Sequence, residues 1–378
     1  MLKVCVEGWR GINHSYAVVN ERQLIELSKL DLILKHRDLP FFNSRWNKFT
    51  NNNGFSKSDN EIIQSVQKPH INENFDVVYR IAYPFNFSKV NAKKLVIFGT
   101  SEYQNINNSC VNFDLKKINE DNQLNIVTPS KWSKAGFLNA GINEKKIRVI
   151  PHGIDQKTFF PLDPIQKKIF REKLKIKEDD FLISSIGAMT KNKGVEYLII
   201  AFCILKTKYK NLKLVLKDQS NLYNRTGLEC IQRIKKTEYS NIIKDNFLSD
   251  ILFISENLDL NSLNELYNST DCYVSSYMAE GFNLTPLEAS ACGTPIVITK
   301  GGSTDDYFDK ILGLQIESKF IRLKDRSMLE PNVDSLINSI EKIITNPNKY
   351  GGENGSKYTI NNFSWNKIVH KLYEVLIR

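Results

Sequence analysis

Short apolar runs alternate with amphipathic stretches along almost the whole chain, and this alternation limits the choice of fold more than any other feature. A strand buried on both faces reads as a brief apolar run, whereas a helix covering a sheet shows a 3.6-residue repeat. In the first half we predict helices over residues 16–30 and 131–139, the second with Ser130 as its N-cap. The predicted strands there are 3–7, 32–35, 76–80, 95–99, 125–128 and 148–150. Strands and helices in alternation indicate parallel α/β layers.

A second series of the same kind begins after Asp155. Its predicted helices are 194–208, 262–268 and 286–292, and its predicted strands are 181–186, 212–217, 251–254, 272–275 and 295–299. Because 378 residues exceed one compact core, we expect two doubly wound, Rossmann-like α/β domains that face each other across a cleft. Their connection is predicted at residues 151–155, where Pro and Gly occur together. Residues 43–74, which include Asn51, Asn52, Asn53 and Gly54, are predicted to form a long irregular loop.

Several kinds of site are excluded by motifs that the sequence lacks. There is no Gly-x4-Gly-Lys-Ser/Thr loop, and Gly8-Trp9-Arg10-Gly11 lacks the spacing of a dinucleotide-binding fingerprint. The five histidines and six scattered cysteines show no metal-ligand spacing, and no Asp-x-Asp occurs. We therefore expect reduced cysteines, no metal and no other cofactor, so that helix dipoles and basic side chains would bind any phosphate.

Charge and hydropathy constrain the partners more weakly. Lys and Arg number 52 against 42 Asp and Glu, a net charge of +10 that can favour nucleic acid, membrane surfaces or phosphorylated ligands. No Arg-rich run or aromatic-studded basic motif occurs, so we expect a small anionic ligand and no nucleic acid. No window approaches a membrane span, and the N-terminus does not read as a signal peptide. We therefore expect a cytoplasmic protein.

Two stretches in the second half are suited to bind an anion. Residues 186–202 have the form strand, glycine turn, basic loop and helix, with Lys193 just before the helix, at the strand edge where open α/β sheets bind ligands. The alternative is that Lys191 and Lys193 are solvated loop lysines. The second stretch begins at Glu280 and runs from a predicted strand straight into a helix. The N-terminus of that helix would offer backbone N–H groups and a positive dipole end to a diphosphate.

Glu280 and Glu288 in this second stretch raise a separate question. Thr285, Pro286 and Glu288 fit a capping box, with Thr at the N-cap, Pro at N1 and Glu at N3 of the helix. Glu288 could therefore cap its own helix, bind a ligand, or do both. Glu280 has no such capping role, so it is the clearer candidate for a ligand-binding residue.

Several collinear motifs resemble those of the retaining GT-B glycosyltransferases of the family-4 type. Glu-x7-Glu lies within "EGFNLTPLEASACGTPIVITKGGSTDDYF", and "IGAMTKNKGVEYLIIAF" lies upstream of it. The segment "VTPSKWSKAGFLNAGINEKKIRVIPHGID" is similar to the family's linker region, and "NLDLNSLNELYNSTDCYVSSYMAEGF" to the stretch before the motif. The resemblance covers residues 125–378 well and residues 1–124 loosely. It implies an acceptor domain over 1–155, a donor domain over 156–362, and a last helix, about 363–378, that packs back on the first domain.

The resemblance also implies a role for each matching position. Glu280 would face the hydroxyls of the donor sugar, Glu288 the ribose of the nucleotide, and Lys193 the diphosphate leaving group. The sugar and diphosphate would be lined by the backbone of Gly281, Phe282, Asn283, Leu284 and Thr285. Family members transfer a sugar from a nucleotide-sugar donor with retention of configuration and without a metal. The departing phosphate is thought to help deprotonate the acceptor, so that no dedicated carboxylate base is needed.

The sequence departs from the family pattern at two positions. The family's Arg after the glycine of the upstream loop is Ala188 here, so that Thr190, Lys191 or Arg10 would have to supply the missing phosphate contact. The family's His after the fourth strand is also absent, which leaves Glu102 or Thr100 in its place. Further candidates follow the first strand and are Gly11 and His14.

The acceptor and the exact activity stay open at this stage. A glycan, a lipid-linked sugar, a protein or another hydroxyl compound would each be a suitable acceptor, and the basic charge would suit peripheral association with a membrane. The alternatives are a nucleotide-sugar epimerase, a phosphorylase, and a catalytically weakened nucleotide-sugar-binding or scaffold protein of the same fold. A glycogen-type phosphorylase would need a pyridoxal-phosphate lysine and a much longer chain, whereas the weakened form is motivated by Ala188 and the missing His.

Overall fold

The computed structural model describes residues 1–48, 54–107, 110–111 and 115–378. This part of the chain divides into two compact units. The first consists of Met1–Gly153 together with Phe363–Arg378, and the second is the continuous segment Ile154–Asn362. Each unit has its own parallel sheet of six strands.

The first unit orders its strands β2-β1-β3-β4-β5-β6. These strands are β1 (Leu2–Gly8), β2 (Leu32–Asp38), β3 (Phe75–Ile81), β4 (Ala92–Phe98), β5 (Leu124–Thr128) and β6 (Ile147–Val149). All six predicted strands are confirmed, because buried apolar runs such as the one in β1 pack on both faces of the sheet. The helices are α1 (Ser15–Leu27), α2 (Lys57–Ser65), α3 (Leu115–Glu120), α4 (Lys131–Asn139), the 3-10 turn Glu144–Lys146 and a C-terminal helix, Trp365–Ile377.

The predicted irregular loop over residues 43–74 is wrong in part, since it contains helix α2. Ser56 caps this helix by accepting a hydrogen bond from the Asp59 N–H at 3.1 Å. Ile63 is its one buried side chain and packs with Ile25 and Phe55, so the helix carries too narrow an apolar stripe to stand out in a polar stretch. Residues 49–53 of that predicted loop lie outside the described residues.

The second unit orders its parallel strands β12-β11-β10-β7-β8-β9 and adds an antiparallel hairpin, β13-β14. The strands are β7 (Phe181–Ile186), β8 (Leu212–Lys217), β9 (Ile251–Ile254), β10 (Cys272–Ser275), β11 (Ile296–Thr299), β12 (Gly313–Ile316), β13 (Ser318–Arg322) and β14 (Ser327–Pro331). Four of the five strands predicted here begin and end as expected. The neighbours β7 and β10 run parallel, so the loops that follow them leave the same edge of the sheet.

Helices cover both faces of this second sheet. They are α5 (Pro164–Lys173), α6 (Val195–Lys208), α7 (Ser220–Tyr223), α8 (Gly227–Ile234), α9 (Asp245–Leu248), α10 (Leu260–Ser269), α11 (Leu284–Ala291), α12 (Val333–Thr345) and α13 (Gly352–Phe363), with 3-10 turns at Lys191–Lys193, Glu238–Ile242 and Ser303–Asp306. Among helices in the described ranges, none has the length and apolar content that a membrane crossing requires.

The C-terminal helix, α14 (Trp365–Ile377), completes the first unit. It packs against α1, and the Lys94 ammonium donates a hydrogen bond to the Val375 carbonyl. Gly153 approaches Trp365 so closely that an added Cβ would lie 2.7 Å from the Trp365 Cα. The last helix is therefore an integral layer of the unit that begins at Met1.

Candidate active site

The loop between β10 and α11 is the centre of the candidate site. Its Asn283 adopts a left-handed backbone with φ of 66°. The Asn283 amide donates a hydrogen bond to the Ser275 Oγ at 2.9 Å, and its carbonyl accepts one from the Tyr307 hydroxyl at 2.8 Å. The side-chain amide and the backbone carbonyl of Asn283 are thus both held by hydrogen bonds. These contacts set the direction in which the chain enters α11.

The predicted capping box in this loop is wrong. Helix α11 begins at Leu284 with Asn283 as its N-cap, so Pro286 is the third helical residue and Glu288 lies beyond the first turn. Pro is tolerated there because the first N–H groups of a helix have no intrahelical partner. Asn283 forms no side-chain cap with this turn. The helix start therefore keeps the arrangement in which backbone N–H groups can bind an anion.

The loop between β7 and α6 is joined directly to the loop after β10. The Asn192 carbonyl accepts hydrogen bonds from the N–H groups of Met278 and Ala279 at 2.7 and 3.1 Å, and the Asn192 amide donates one to the Ala279 carbonyl. The Ser276 hydroxyl donates another to the Gly194 carbonyl at 2.7 Å. The two loops predicted from the sequence to bind the donor therefore form one hydrogen-bonded structure.

Lys193 and Glu280 form an ion pair at this junction, in which the Lys193 Nζ contacts the Glu280 Oε1. The Glu280 side chain is 6% exposed and that of Lys193 28% exposed, so the carboxylate lies deeper than the ammonium. A buried carboxylate requires such a partner, because an uncompensated charge at that depth is costly. The structure thus brings together the two residues to which the family resemblance gives the central roles.

Glu288 and Thr285 contact buried tyrosines, which the sequence analysis did not identify. The Tyr267 hydroxyl donates to the Glu288 Oε2 at 2.7 Å, and the Tyr273 hydroxyl to the Thr285 Oγ1 at 2.8 Å. Burial raises the pKa of Tyr267 and of Tyr273 well above the usual range, and for Tyr267 the Glu288 charge adds to this. Both phenols therefore remain protonated donors. In the sequence they read only as apolar core residues of α10 and β10.

The residues named as substitutes for the missing arginine have separate positions. Ala188 is buried, and Lys191 is exposed in the 3-10 turn. The Thr190 hydroxyl donates to the Asn192 Oδ1 at 2.7 Å. Sequence analysis missed Arg233 of α8, which pairs with Glu196 and donates to the Met189 carbonyl at 2.9 Å. Arg233 therefore holds the backbone of the loop between β7 and α6.

Candidate residues of the first unit mostly make structural contacts within that unit. Arg10 donates to both carboxylate oxygens of Asp38, at 2.8 and 3.0 Å. His14 is the N-cap of α1, and its Nδ1 accepts from the Tyr16 N–H at 3.1 Å. The Glu102 backbone carbonyl accepts from the Trp132 indole, and Thr100 shares a hydrogen bond of 2.9 Å with the Tyr16 hydroxyl.

Gly11, in the loop after β1, is bound to a buried carboxyl group. Its φ of 79° lies in the region that favours glycine, and its N–H donates to the Glu21 Oε1 at 2.9 Å. Glu21 is 2% exposed, and this burial raises the pKa of its carboxyl to about 7. The loop is therefore held by a group whose protonation changes near neutral pH.

Glu21→Gln is expected to remove a pH dependence of stability. Between about pH 4.5 and 7 the carboxyl ionises in the unfolded chain but remains protonated in the fold, so the wild-type free energy of unfolding falls by about 3 kcal/mol. Glutamine keeps an acceptor for the Gly11 N–H and does not titrate. Urea unfolding at both ends of this pH range measures the difference. Equal pH dependence in the two proteins would contradict the raised pKa.

In the described ranges, no group of three or more His, Cys, Asp or Glu side chains is placed to bind a metal ion. The six cysteines are free thiols, and five of them are buried.

Comparison with known sequences identifies relatives that share parts of the chain. Mannosylfructose-phosphate synthase of Agrobacterium fabrum is 26% identical over 162 residues, which are 43% of this chain and 34% of that protein. Lipopolysaccharide 1,2-N-acetylglucosaminetransferase of Salmonella typhimurium is 23% identical over 261 residues, which are 67% of this chain and 62% of that protein. The matches thus span about a third to three fifths of the length of these relatives.

Comparison with solved structures establishes the fold. Sucrose-phosphate synthase from Thermosynechococcus elongatus superposes with a TM-score of 0.68 at 15% identity, over 99% of this chain and 98% of that one. Anabaena HepE in complex with UDP-glucose gives a TM-score of 0.69 at 13% identity, over the whole of both chains. The predicted GT-B fold with two Rossmann-like units is thereby confirmed.

The family model for glycosyl transferases group 1 matches residues 166–357. This range includes both hydrogen-bonded loops, the Lys193–Glu280 ion pair and helix α11. Since the match covers just over half of the chain, the protein belongs to the glycosyl transferases group 1 family, as its motifs indicated.

Proposed function

We propose that this protein transfers a sugar from a nucleotide-sugar donor to a hydroxyl group of an acceptor, with retention of configuration and without a metal. The observation that carries the proposal is the Lys193–Glu280 ion pair, which lies where the loop before α6 meets the loop before α11. A cation and a buried carboxylate are thus held together next to a helix N-terminus. These are the groups that a sugar diphosphate requires.

Each of these groups has a role in the proposed reaction. Lys193 and the first N–H groups of α11 stabilise the negative charge that grows on the departing diphosphate. Glu280 accepts hydrogen bonds from the hydroxyls of the transferred sugar, and Glu288 from the ribose. Tyr267 supports this role of Glu288, because its hydroxyl donates to one carboxylate oxygen at 2.7 Å and so orients the carboxylate.

Retention is supported by the family-4 resemblance alone, whereas independence of metal is supported by that resemblance and by the charge of the site. The Lys193 ammonium and the N-terminal dipole of α11 stabilise the negative charge of the leaving group. In metal-dependent transferases a divalent ion stabilises this charge. The departing phosphate then serves as the base for the acceptor hydroxyl on the same face of the sugar. The acceptor is proposed to be a glycan or a lipid-linked or protein hydroxyl, consistent with the transferases that the chain resembles.

Thermal unfolding with UDP-, GDP- and ADP-sugars, each measured both with and without EDTA, tests the donor site. At a ligand concentration of 100 times Kd, we expect the cognate donor to raise the Tm of the second unit by about 5–10 °C. The absence of a shift with every nucleotide would overturn the donor assignment, and a shift that EDTA abolishes would overturn metal independence. Donor hydrolysis separates an enzyme from a weakened binding protein, which would bind the donor without turnover.

A further inference from the structure

The β13-β14 hairpin of the second unit exposes an unusual combination of side chains. Phe320, in the middle of β13, is 48% exposed, and Leu323, in the turn that follows the strand, is 43% exposed. The turn is closed by a hydrogen bond of 2.8 Å from the Leu323 N–H to the Arg326 carbonyl. Two large apolar groups are thus presented to solvent by a short, closed hairpin.

Positive charge surrounds these two apolar side chains. The hairpin, residues 318–331, contains four basic side chains against two acidic ones, Asp325 and Glu330, a local net charge of +2 within a chain whose total is +10. The basic residues are all exposed and are Lys319, Arg322, Lys324 and Arg326. This is the combination that lies in the interface of an anionic bilayer, where apolar groups enter the headgroup region and cations meet lipid phosphates.

The base of the hairpin is fixed to the candidate active site. The Leu329 N–H of β14 donates to the Met278 carbonyl at 2.7 Å, two residues before Glu280. Leu329 is buried against Gly302, where its Cδ1 lies 2.9 Å from the position of an added Cβ. The Ser318 hydroxyl donates to the Lys300 carbonyl at 2.6 Å. A contact made at the exposed turn is therefore connected through the hairpin to the donor loop.

Protection of a sheet edge does not account for this surface. Charged residues on an edge strand prevent pairing with another chain, which would explain the lysines and arginines. It would not explain Phe320 and Leu323, since an exposed apolar pair on an edge promotes the association that the charges oppose. A soluble polyanion would bind the four cations, but burying Phe320 and Leu323 against it would contribute much less free energy than burying them in a bilayer.

We propose that the β13-β14 hairpin binds the surface of an anionic lipid bilayer through Phe320 and Leu323 and the four cations around them. This contact holds the donor loop beside the membrane. It goes beyond the proposed sugar transfer and does not depend on it, because lipid binding and donor hydrolysis are measured separately.

Co-sedimentation of the full chain with vesicles tests the proposal. We expect binding to vesicles of phosphatidylcholine and phosphatidylglycerol in equal parts, and little to phosphatidylcholine alone. Arg322→Gln with Lys324→Gln should lower the partition coefficient about 25-fold, since each cation near an anionic surface contributes about fivefold. Phe320→Ser with Leu323→Ser should lower it at least about tenfold. Donor hydrolysis should be unchanged in both double variants.

Helix α5 offers a matched control. Ile165 and Ile169 are 73% and 49% exposed on a helix that also carries lysines, although Arg171 there pairs with Asp271. Ile165→Ser with Ile169→Ser should leave vesicle binding unchanged. The proposal is overturned if the hairpin variants bind vesicles as well as wild type, or if the α5 control loses as much binding. It is also overturned if the wild-type protein binds a heparin column through the hairpin charges but does not bind anionic vesicles.

Discussion

Lys193→Ala is expected to lower kcat for donor hydrolysis about 100- to 1000-fold, the loss typical of removing one preorganised group that stabilises transition-state charge. Lys193 pairs with Glu280 in the protein without donor, so the diphosphate must compete with that carboxylate for the ammonium. The substitution removes the cation and also leaves the buried Glu280 without this partner. We therefore expect a larger fall in kcat than any rise in KM.

The adjacent turn provides controls for this substitution. Lys191→Ala removes an exposed lysine from the same 3-10 turn and should change kcat less than about threefold, because a solvated charge contributes little to the site. Lys193→Arg keeps the charge and should recover part of the activity. Steady-state hydrolysis of the cognate donor measures all three variants. Near-wild-type activity in Lys193→Ala would remove Lys193 from the proposed mechanism.

Gly194→Ala is expected to lower the free energy of unfolding of the second unit by about 3 kcal/mol or more. Two costs combine at this position. Gly194 has φ of 60°, a conformation that L-residues adopt only with strain, and an added Cβ would lie 2.0 Å from the Ser276 carbonyl oxygen. Backbone on both sides would have to move, and with it the loop that carries Lys193.

Gly352 is a control position that has the left-handed backbone of Gly194 without the close approach to a neighbouring backbone. Its φ of 61° is nearly that of Gly194, but nothing lies within 4 Å of an added Cβ. Gly352→Ala should therefore lose only about 1–2 kcal/mol, the cost of the left-handed conformation itself. Urea unfolding of both variants provides the comparison. Equal destabilisation would show that the close approach of Gly194 to Ser276 adds nothing.

Five strands of the second unit, β7 to β11, could be predicted closely because each is a short, mostly apolar run bounded by polar residues. Strand β12, which is buried at only two of its four residues, was not predicted. Strand β7 has four consecutive buried residues, and β10 and β11 are buried throughout. Hydrophobic patterning determines such elements almost entirely. Helix α2 and strand β13 were missed because each buries few side chains and exposes many polar ones. Strand β14 buries Ser327, Leu329 and Pro331, which form no apolar run in the sequence.

The start of α11 could not be predicted because contacts far along the chain decide it. Local residues favoured a cap at Thr285, but its Oγ1, the group that would form this cap, accepts from the Tyr273 hydroxyl. The Tyr307 hydroxyl donates to the carbonyl of Asn283, the residue that is the N-cap instead. A single sequence does not reveal which buried tyrosine reaches which loop. Local capping preferences are weak beside tertiary hydrogen bonds of this kind.

The candidate site was predicted in its members but not in its internal contacts. The motifs identified Lys193 and Glu280 separately, 87 residues apart, each as a contact of the donor. Their pairing depends on the hydrogen bonds between the two loops, which join Asn192 to Met278 and Ala279 and Ser276 to Gly194. These bonds hold the two loops side by side. In the sequence, Asn192 is only a polar residue inside a basic loop, and nothing there indicates that it joins this loop to another.

The division of the first unit between two distant segments has a consequence for its synthesis. Residues 1–153 leave the ribosome with a place on α1 that only α14 fills, and the whole second unit is made before α14 appears. At about 10 residues per second this interval lasts about 20 s. The first unit must wait incomplete during that time, while the second, being continuous, can finish folding as soon as it emerges. The half of the chain that is translated first is therefore completed last, and the nascent protein is most exposed to misassembly through its N-terminal part.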